Sequence, residues 1–177
     1  MKYKIIYVCY SNKGRSPAFE VYTRHFLRTW GVTNITVKSA ASSKEMVDSL
    51  RKRGSEHVSR TTNQILKEHG LGLDKHTVNY LGEIISGSDL ILAVDQYTLD
   101  SILKDFDSYK ERMMLAGDYA KVRQHREIFG PHHSLRGTLK SEVDGYRKMI
   151  DEIRYVSRRA ARKMIREMKE GVLSRRV

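Results

Sequence analysis

Short apolar runs of strand length, separated by segments of helical period, constrain this chain more than any other feature. Residues 4–8 (Lys-Ile-Ile-Tyr-Val) and 89–94 (Asp-Leu-Ile-Leu-Ala-Val) read as buried strands. Residues 35–39 (Ile-Thr-Val-Lys-Ser) read as a strand by β-branched content, and 112–116 (Arg-Met-Met-Leu-Ala) as a fourth, weaker one. Between them the period changes. Over 16–30, Phe19, Tyr22, Phe26 and Trp30 recur at helical spacing, with Ser16 as the expected cap, Pro17 at the first helical position and Gly31 as the stop. Ser42 to about Glu56 is a polar stretch. A helix is expected near 57–69, another from Asp95 to about Leu103, and a long one from Leu139 toward Gly171. Residues 117–138 read as irregular. Val143, Tyr146, Ile150, Ile153, Ala160, Met164 and Met168 mark the apolar side of the last helix. Strands alternating with helices predict an α/β fold with an open parallel sheet, which binds ligands at the carboxyl ends of its strands.

Length and composition narrow the class. The 177 residues amount to one domain, 1–177, with enough chain to bury a core unaided. A single cysteine excludes an intrachain disulfide and a cysteine-rich zinc site. No apolar run approaches the roughly 20 residues of a membrane span. The amino terminus lacks a signal-peptide pattern, so the expected compartment is the cytoplasm. The net charge is +12, and it is uneven: from Arg154 to Val177 there are nine basic residues and two acidic ones. Residues 156–177 are therefore expected to form a basic extension of the last helix, standing off the body, with weak polyanion binding as one use and a solvated helix face as the other.

The sole cysteine stands where the first strand ends, in Cys9-Tyr10-Ser11-Asn12-Lys13-Gly14-Arg15-Ser16-Pro17. Five residues separate Cys9 from Arg15, and a helix follows. A loop of that length can wrap one tetrahedral anion, with the N–H groups of Tyr10, Ser11, Asn12, Lys13, Gly14 and Arg15 turned inward and the helix dipole behind them. The planar fork of Arg15 suits two phosphate oxygens. A cysteine in such a field is favoured as its thiolate, and a thiolate beneath a bound phosphoryl group is placed for in-line attack. The Ser16 hydroxyl lies within reach of the sulfur in such a loop.

This segment resembles the phosphate-binding loop of the low-molecular-weight protein tyrosine phosphatases, C-x-G-N-x-C-R-S-P. Cys9, Asn12, Arg15, Ser16 and Pro17 fall on its nucleophile, loop asparagine, phosphate-binding arginine, serine and proline. The resemblance extends through Val37-Lys38-Ser39-Ala40-Ala41, through Ile65 to Leu71 with His76, and through Ser88 to Asp95. It implies a three-layer fold whose four parallel strands lie in the order 2-1-3-4, with the phosphate loop at the carboxyl end of the first. It implies phosphomonoester hydrolysis, protein phosphotyrosine included, through a cysteinyl-phosphate, with no metal and no organic cofactor. It also implies that Asn12, Ser39 and His76 support the loop. The partners it implies are a phosphorylated protein or small phosphomonoester, with phosphate or a similar oxyanion in the loop. A phosphatase family acting on the RNA polymerase tail shares only the loop pattern.

The departures are informative. Ser11 replaces the loop glycine and Gly14 the second loop cysteine. The family's general acid is the Asp of a D-P-Y-Y-like motif. Here Gly130-Pro131-His132-His133 matches it, so Gly130 occupies the aspartate position. General acid catalysis is typically worth about 10²–10⁴-fold, so a replacement matters. The candidates are His132 and His133, then Asp118 and Glu127. Loss of the tyrosine pair, with Lys13 nearby, predicts a more polar and basic mouth that Tyr10 partly restores as aromatic. Three readings follow. The first is a cysteine-dependent phosphatase. The second is a catalytically weak or inactive phosphate-binding module that recognises a phosphorylated or polyanionic partner. The third is a nucleic-acid-associated protein.

Overall fold

The computed structural model describes residues 2–130 and 139–173. Four strands, β1 (Tyr3–Cys9), β2 (Ile35–Ala41), β3 (Leu90–Ala93) and β4 (Met113–Leu115), form one sheet in the order β2-β1-β3-β4. Every pairing is parallel. The register sets Cys9 opposite Ala41 at the end of the β1–β2 ladder. The strands are flanked by α1 (Arg15–Thr29), α2 (Lys44–Lys52), α3 (Arg60–Glu68), α4 (Leu81–Ile84), α5 (Gln96–Asp105), α6 (Ala116–Tyr119) and α7 (Leu139–Lys169).

Both faces of the sheet are covered over β1 and β3, which is why those strands read as continuous apolar runs, whereas Thr36 and Lys38 of the edge strand β2 are exposed. Along β1, Tyr3, Ile5, Tyr7 and Cys9 join the larger core with Phe19, Tyr22 and Leu27 of α1 and Ile150, Ile153 and Val156 of α7. Ile6 and Val8 face the other way, onto Leu81, Ile85 and Ile102. The period of two along the strand thus serves two cores. No described helix is long and apolar enough to cross a membrane.

Three local expectations are corrected. The polar stretch after Ser42 contains α2: Ser43 caps it by accepting from the Met46 N–H at 3.1 Å, and Val47 and Leu50 are buried beneath it. Ser16 is not the cap of α1. The helix starts at Arg15, two residues before the expected first position, Gly14 takes the cap position, and the Ser16 hydroxyl is drawn inward to Cys9. Pro17 then sits third in the helix, where its missing N–H still costs nothing because the first four have no partner within the helix.

The third correction concerns the basic carboxyl-terminal stretch. As far as Leu173 it does not stand off the body. Val156, Ala160, Ala161, Met164 and Leu173 are buried, and so are Ser157 and Glu167. Apolar and small residues at helical spacing lay one stripe of α7 along α1, while Arg158, Arg162 and Arg166 point to solvent. Glu167 accepts from the Tyr119 hydroxyl at 2.9 Å, which ties this end of α7 to α6.

Removing the chain beyond Tyr155 is therefore expected to abolish cooperative unfolding, read by urea titration. The point variant Met164→Ala should lower stability by about 2–5 kcal/mol. Arg158→Gln on the opposite face should stay within about 0.5 kcal/mol.

Candidate active site

The loop between β1 and α1 is held from outside by its carbonyl groups. The Cys9 carbonyl accepts from the Ser42 N–H at 2.9 Å, Tyr10 from Ser43 at 3.3 Å, and Lys13 from Ser59 at 2.8 Å. In a planar trans peptide the C=O and the next N–H point in opposite directions. Carbonyls held outward thus turn the N–H groups of Tyr10, Ser11 and Gly14 toward the loop interior. Asn12 adopts φ 56°, a left-handed turn that asparagine tolerates better than most residues and that gathers successive N–H groups into an anion-binding nest.

Asn12 is fully buried and fixes the loop by its side chain. Its Oδ1 accepts from the Asn79 N–H at 3.0 Å and lies 3.2 Å from His76 Nε2. Its Nδ2 donates to Ser16 Oγ at 3.0 Å. Ser16 Oγ in turn lies 3.0 Å from Cys9 Sγ and 3.2 Å from the Ala40 carbonyl. A hydroxyl has one proton, so Ser16 can donate to the Ala40 carbonyl beside a thiol or turn that proton onto a thiolate. Cys9 itself is 2% exposed, at the foot of the loop.

Arg15 is positioned by two groups. Its Nη1 pairs with Asp95 and donates to the Ile128 carbonyl at 2.8 Å. Asp95 also caps α5, accepting from the Thr98 N–H at 2.8 Å. Burial pushes the Asp95 carboxyl up. The Arg15 charge and the bonds with Thr98 and Arg15 outweigh it and hold the group below the usual carboxylate range.

A cavity of about 440 Å³ opens on this arginine, lined by Tyr10, Arg15, Asp95, Tyr97, Glu127 and Phe129. Tyr10, Tyr97 and Phe129 are exposed aromatic side chains, and the Tyr10 and Tyr97 rings lie 6.2 Å apart. The described mouth is thus more aromatic and less basic than the sequence suggests. Lys13 is turned away, its Nζ donating to the Ser55 carbonyl at 2.7 Å.

The remaining sequence candidates divide. His76 touches the loop through Asn12. Ser39 does not; it donates to Glu20 Oε2 at 2.7 Å. Glu127 lines the cavity, and its Oε2 accepts from the Gln96 N–H at 2.9 Å. Asp118 is engaged elsewhere, both its oxygens taking the Arg126 Nε–H at 3.0 Å. Gly130 brings no side chain, and His132 and His133 lie outside the described residues. Among the described residues no cluster of His, Cys, Asp or Glu is fit to hold a metal.

Sequence reasoning missed Asn79, Glu20, Asp95 as the arginine's partner, Tyr97 and Phe129. Asn79 acts through its backbone, which leaves no trace in residue type. Glu20 did leave a signal: it falls four residues after Ser16 and three before Thr23, a polar series on the buried face of α1. Asp95 was legible only as a helix cap.

A family model described as low molecular weight phosphotyrosine protein phosphatase matches residues 4–171. Among solved structures, a mutant of YwlE from Bacillus subtilis is 22% identical, with a TM-score of 0.75 over 93% of this chain and 99% of that one. The YwlE arginine phosphatase from Geobacillus stearothermophilus is 24% identical, with a TM-score of 0.72 over 95% and 96%. Wzb from Vibrio vulnificus, in complex with benzylphosphonate, is 21% identical, with a TM-score of 0.71 over 92% and 99%. No curated protein matches the chain.

Two outcomes test the loop's support. Asn12→Ala should lower stability by at least about 2 kcal/mol, since buried partners lose their bonds. Asn12→Gly, which accepts the left-handed turn, should recover only the backbone part. Burial holds His76 below the ordinary histidine value, although the charge of Glu20 opposes this. A depressed histidine contributes its full stability above about pH 6.5 and loses it as pH falls toward the folded value. The melting temperature should therefore drop between pH 7.5 and 5.5, and His76→Gln should flatten that drop.

Proposed function

The chain belongs to the low molecular weight phosphotyrosine protein phosphatase family, a family of cysteine-based phosphatases, and we propose that it hydrolyses aryl phosphomonoesters such as phosphotyrosine through a cysteinyl-phosphate. The observation that carries this reading is Cys9 Sγ, 3.0 Å from Ser16 Oγ, at the foot of a loop whose Cys9, Tyr10 and Lys13 carbonyls are held outward.

The loop N–H groups and Arg15 hold the phosphoryl oxygens, and the Cys9 thiolate attacks phosphorus opposite the ester oxygen. The S–P bond forms as the P–O bond breaks. Ser16 donates its hydroxyl to the sulfur before attack and after release. The departing oxygen takes a proton from the carboxyl of Glu127, the candidate acid that lines the cavity. Water then attacks phosphorus, Glu127 takes the water's proton, and phosphate leaves with the thiolate restored. Asp95 does not exchange protons in this scheme, because its depressed carboxyl stays ionised beside Arg15. With Glu127 available, the Gly130 substitution does not by itself favour the inactive binding module.

The aromatic walls Tyr10, Tyr97 and Phe129 favour a flat ester. One relative is described as an arginine phosphatase, so phosphoarginine is the natural competitor. On this reading kcat/KM for a phosphotyrosine peptide exceeds that for a phosphoarginine peptide, and the reverse order reassigns the substrate.

Cys9→Ser is expected to abolish turnover while orthovanadate still binds. Glu127→Gln should leave p-nitrophenyl phosphate, with its good leaving group, nearly unaffected. It should slow phenyl phosphate by about 10²-fold or more. Equal slowing of both substrates would exclude Glu127 as the proton donor, and turnover by Cys9→Ser would exclude the covalent route.

A further inference from the structure

The basic face of α7 does more than keep the protein solvated. A cavity of about 230 Å³ is lined by Ala120, Lys121, Arg159, Arg162, Lys163 and Arg166. Arg159, Arg162, Lys163 and Arg166 follow the i, i+3, i+4, i+7 pattern, so they share one face over two turns of α7. Lys121 approaches from the turn after α6, held there in a left-handed conformation with φ 55°. Among the described residues no carboxylate pairs with Lys121, Arg159, Arg162 or Arg166, whereas Lys163 reaches Glu167 at 3.6 Å. Two of the cations, Arg159 and Arg162, are held by groups that leave their charge in place. Arg159 Nε donates to the Ala120 carbonyl at 3.3 Å. The Arg162 guanidinium lies 5.7 Å from the centre of the Trp30 ring, and Lys163 Nζ lies 4.3 Å from that of Tyr119.

Even with Glu167 beside Lys163, five cations around one small cavity repel each other until a further anion joins them. Four of the side chains come from one helix face and the fifth from a separate element, so the cations converge on one open cavity from two sides. That volume falls below the usual range of drug-sized pockets, which suits a compact ligand of concentrated charge. We infer that this cavity is a binding site for a compact anion bearing adjacent phosphoryl groups, a diphosphate, separate from the Cys9 loop. Arginine forks bind such oxygens in pairs, and two linked phosphoryl groups engage more of these forks than one.

Trp30 makes the site readable. It is the chain's only tryptophan, it stacks on Phe26, and Arg162 lies over it. It follows the carboxyl end of α1, while the Cys9 loop precedes the amino end. A helix of 15 residues puts about 22 Å between the two, so emission from Trp30 reports this cavity rather than the loop.

The test is a fluorescence titration of the full chain with sodium pyrophosphate at fixed ionic strength. The expected result is a saturable change in Trp30 emission, with sodium sulfate binding at least about tenfold more weakly because it bridges fewer cations. Arg166→Gln and Lys121→Asn lie on separate elements and are both exposed. Each should weaken binding about tenfold while leaving the rate of p-nitrophenyl phosphate hydrolysis unchanged. ADP, run beside pyrophosphate, separates the sources. Similar affinity assigns the diphosphate group alone, tighter binding assigns a nucleoside diphosphate, and both uphold the site. A change that fails to saturate, or variants that titrate like the parent chain, would overturn it.

Discussion

One buried side chain holds the site together. Asn12 sits in a left-handed turn, where its amide joins three parts of the chain: the segment carrying His76 and Asn79, the first turn of α1 through Ser16, and the loop itself. The loop's positive lining depends on that turn, because N–H groups converge only while the backbone holds it. The cost of a crowded ring of amide dipoles is met in advance, by hydrogen bonds from outside, before any anion arrives. Preorganised donors of this kind stabilise developing charge without rearranging during the reaction.

Arg15 and Asp95 extend the same logic to the cavity. The strand order brings β3 beside β1, so the residue after each strand opens on one edge. Cys9 ends β1, and Asp95 follows β3 by two residues. The carboxylate fixes the guanidinium at the mouth and caps α5 as well. The two ends of α1 then acquire different characters. Its amino end faces the loop, with Cys9, Arg15 and an aromatic wall. Its carboxyl end leads to Trp30 and the cationic cavity against α7.

The sequence was most legible where chemistry is local. Cys9 through Arg15 could be read because strand, loop and helix are consecutive, and the parallel sheet because β1 and β3 are apolar on both faces. Legibility failed where a competing partner decided the outcome. Ser16 has the composition of a cap, but the sulfur and Asn12 claim its hydroxyl. The last helix misled through its charge: Ala160 and Met164 mark its apolar side in the sequence, yet the excess of basic residues between Arg154 and Val177 pointed away from the body. α2 was hidden by a polar surface over only two buried residues, Val47 and Leu50. The aromatic mouth, formed by Tyr10, Tyr97 and Phe129, needed three distant segments to meet.

Because the chain has one cysteine, a covalent intermediate has one place to form through sulfur. Rapid mixing with p-nitrophenyl phosphate, followed by quenching and intact-mass analysis, reads it directly. The prediction is a burst of nitrophenol approaching one equivalent per chain, with a matching phosphoryl adduct that peptide mapping assigns to Cys9. Turnover without that adduct, or with the phosphoryl group on another residue, would contradict the mechanism.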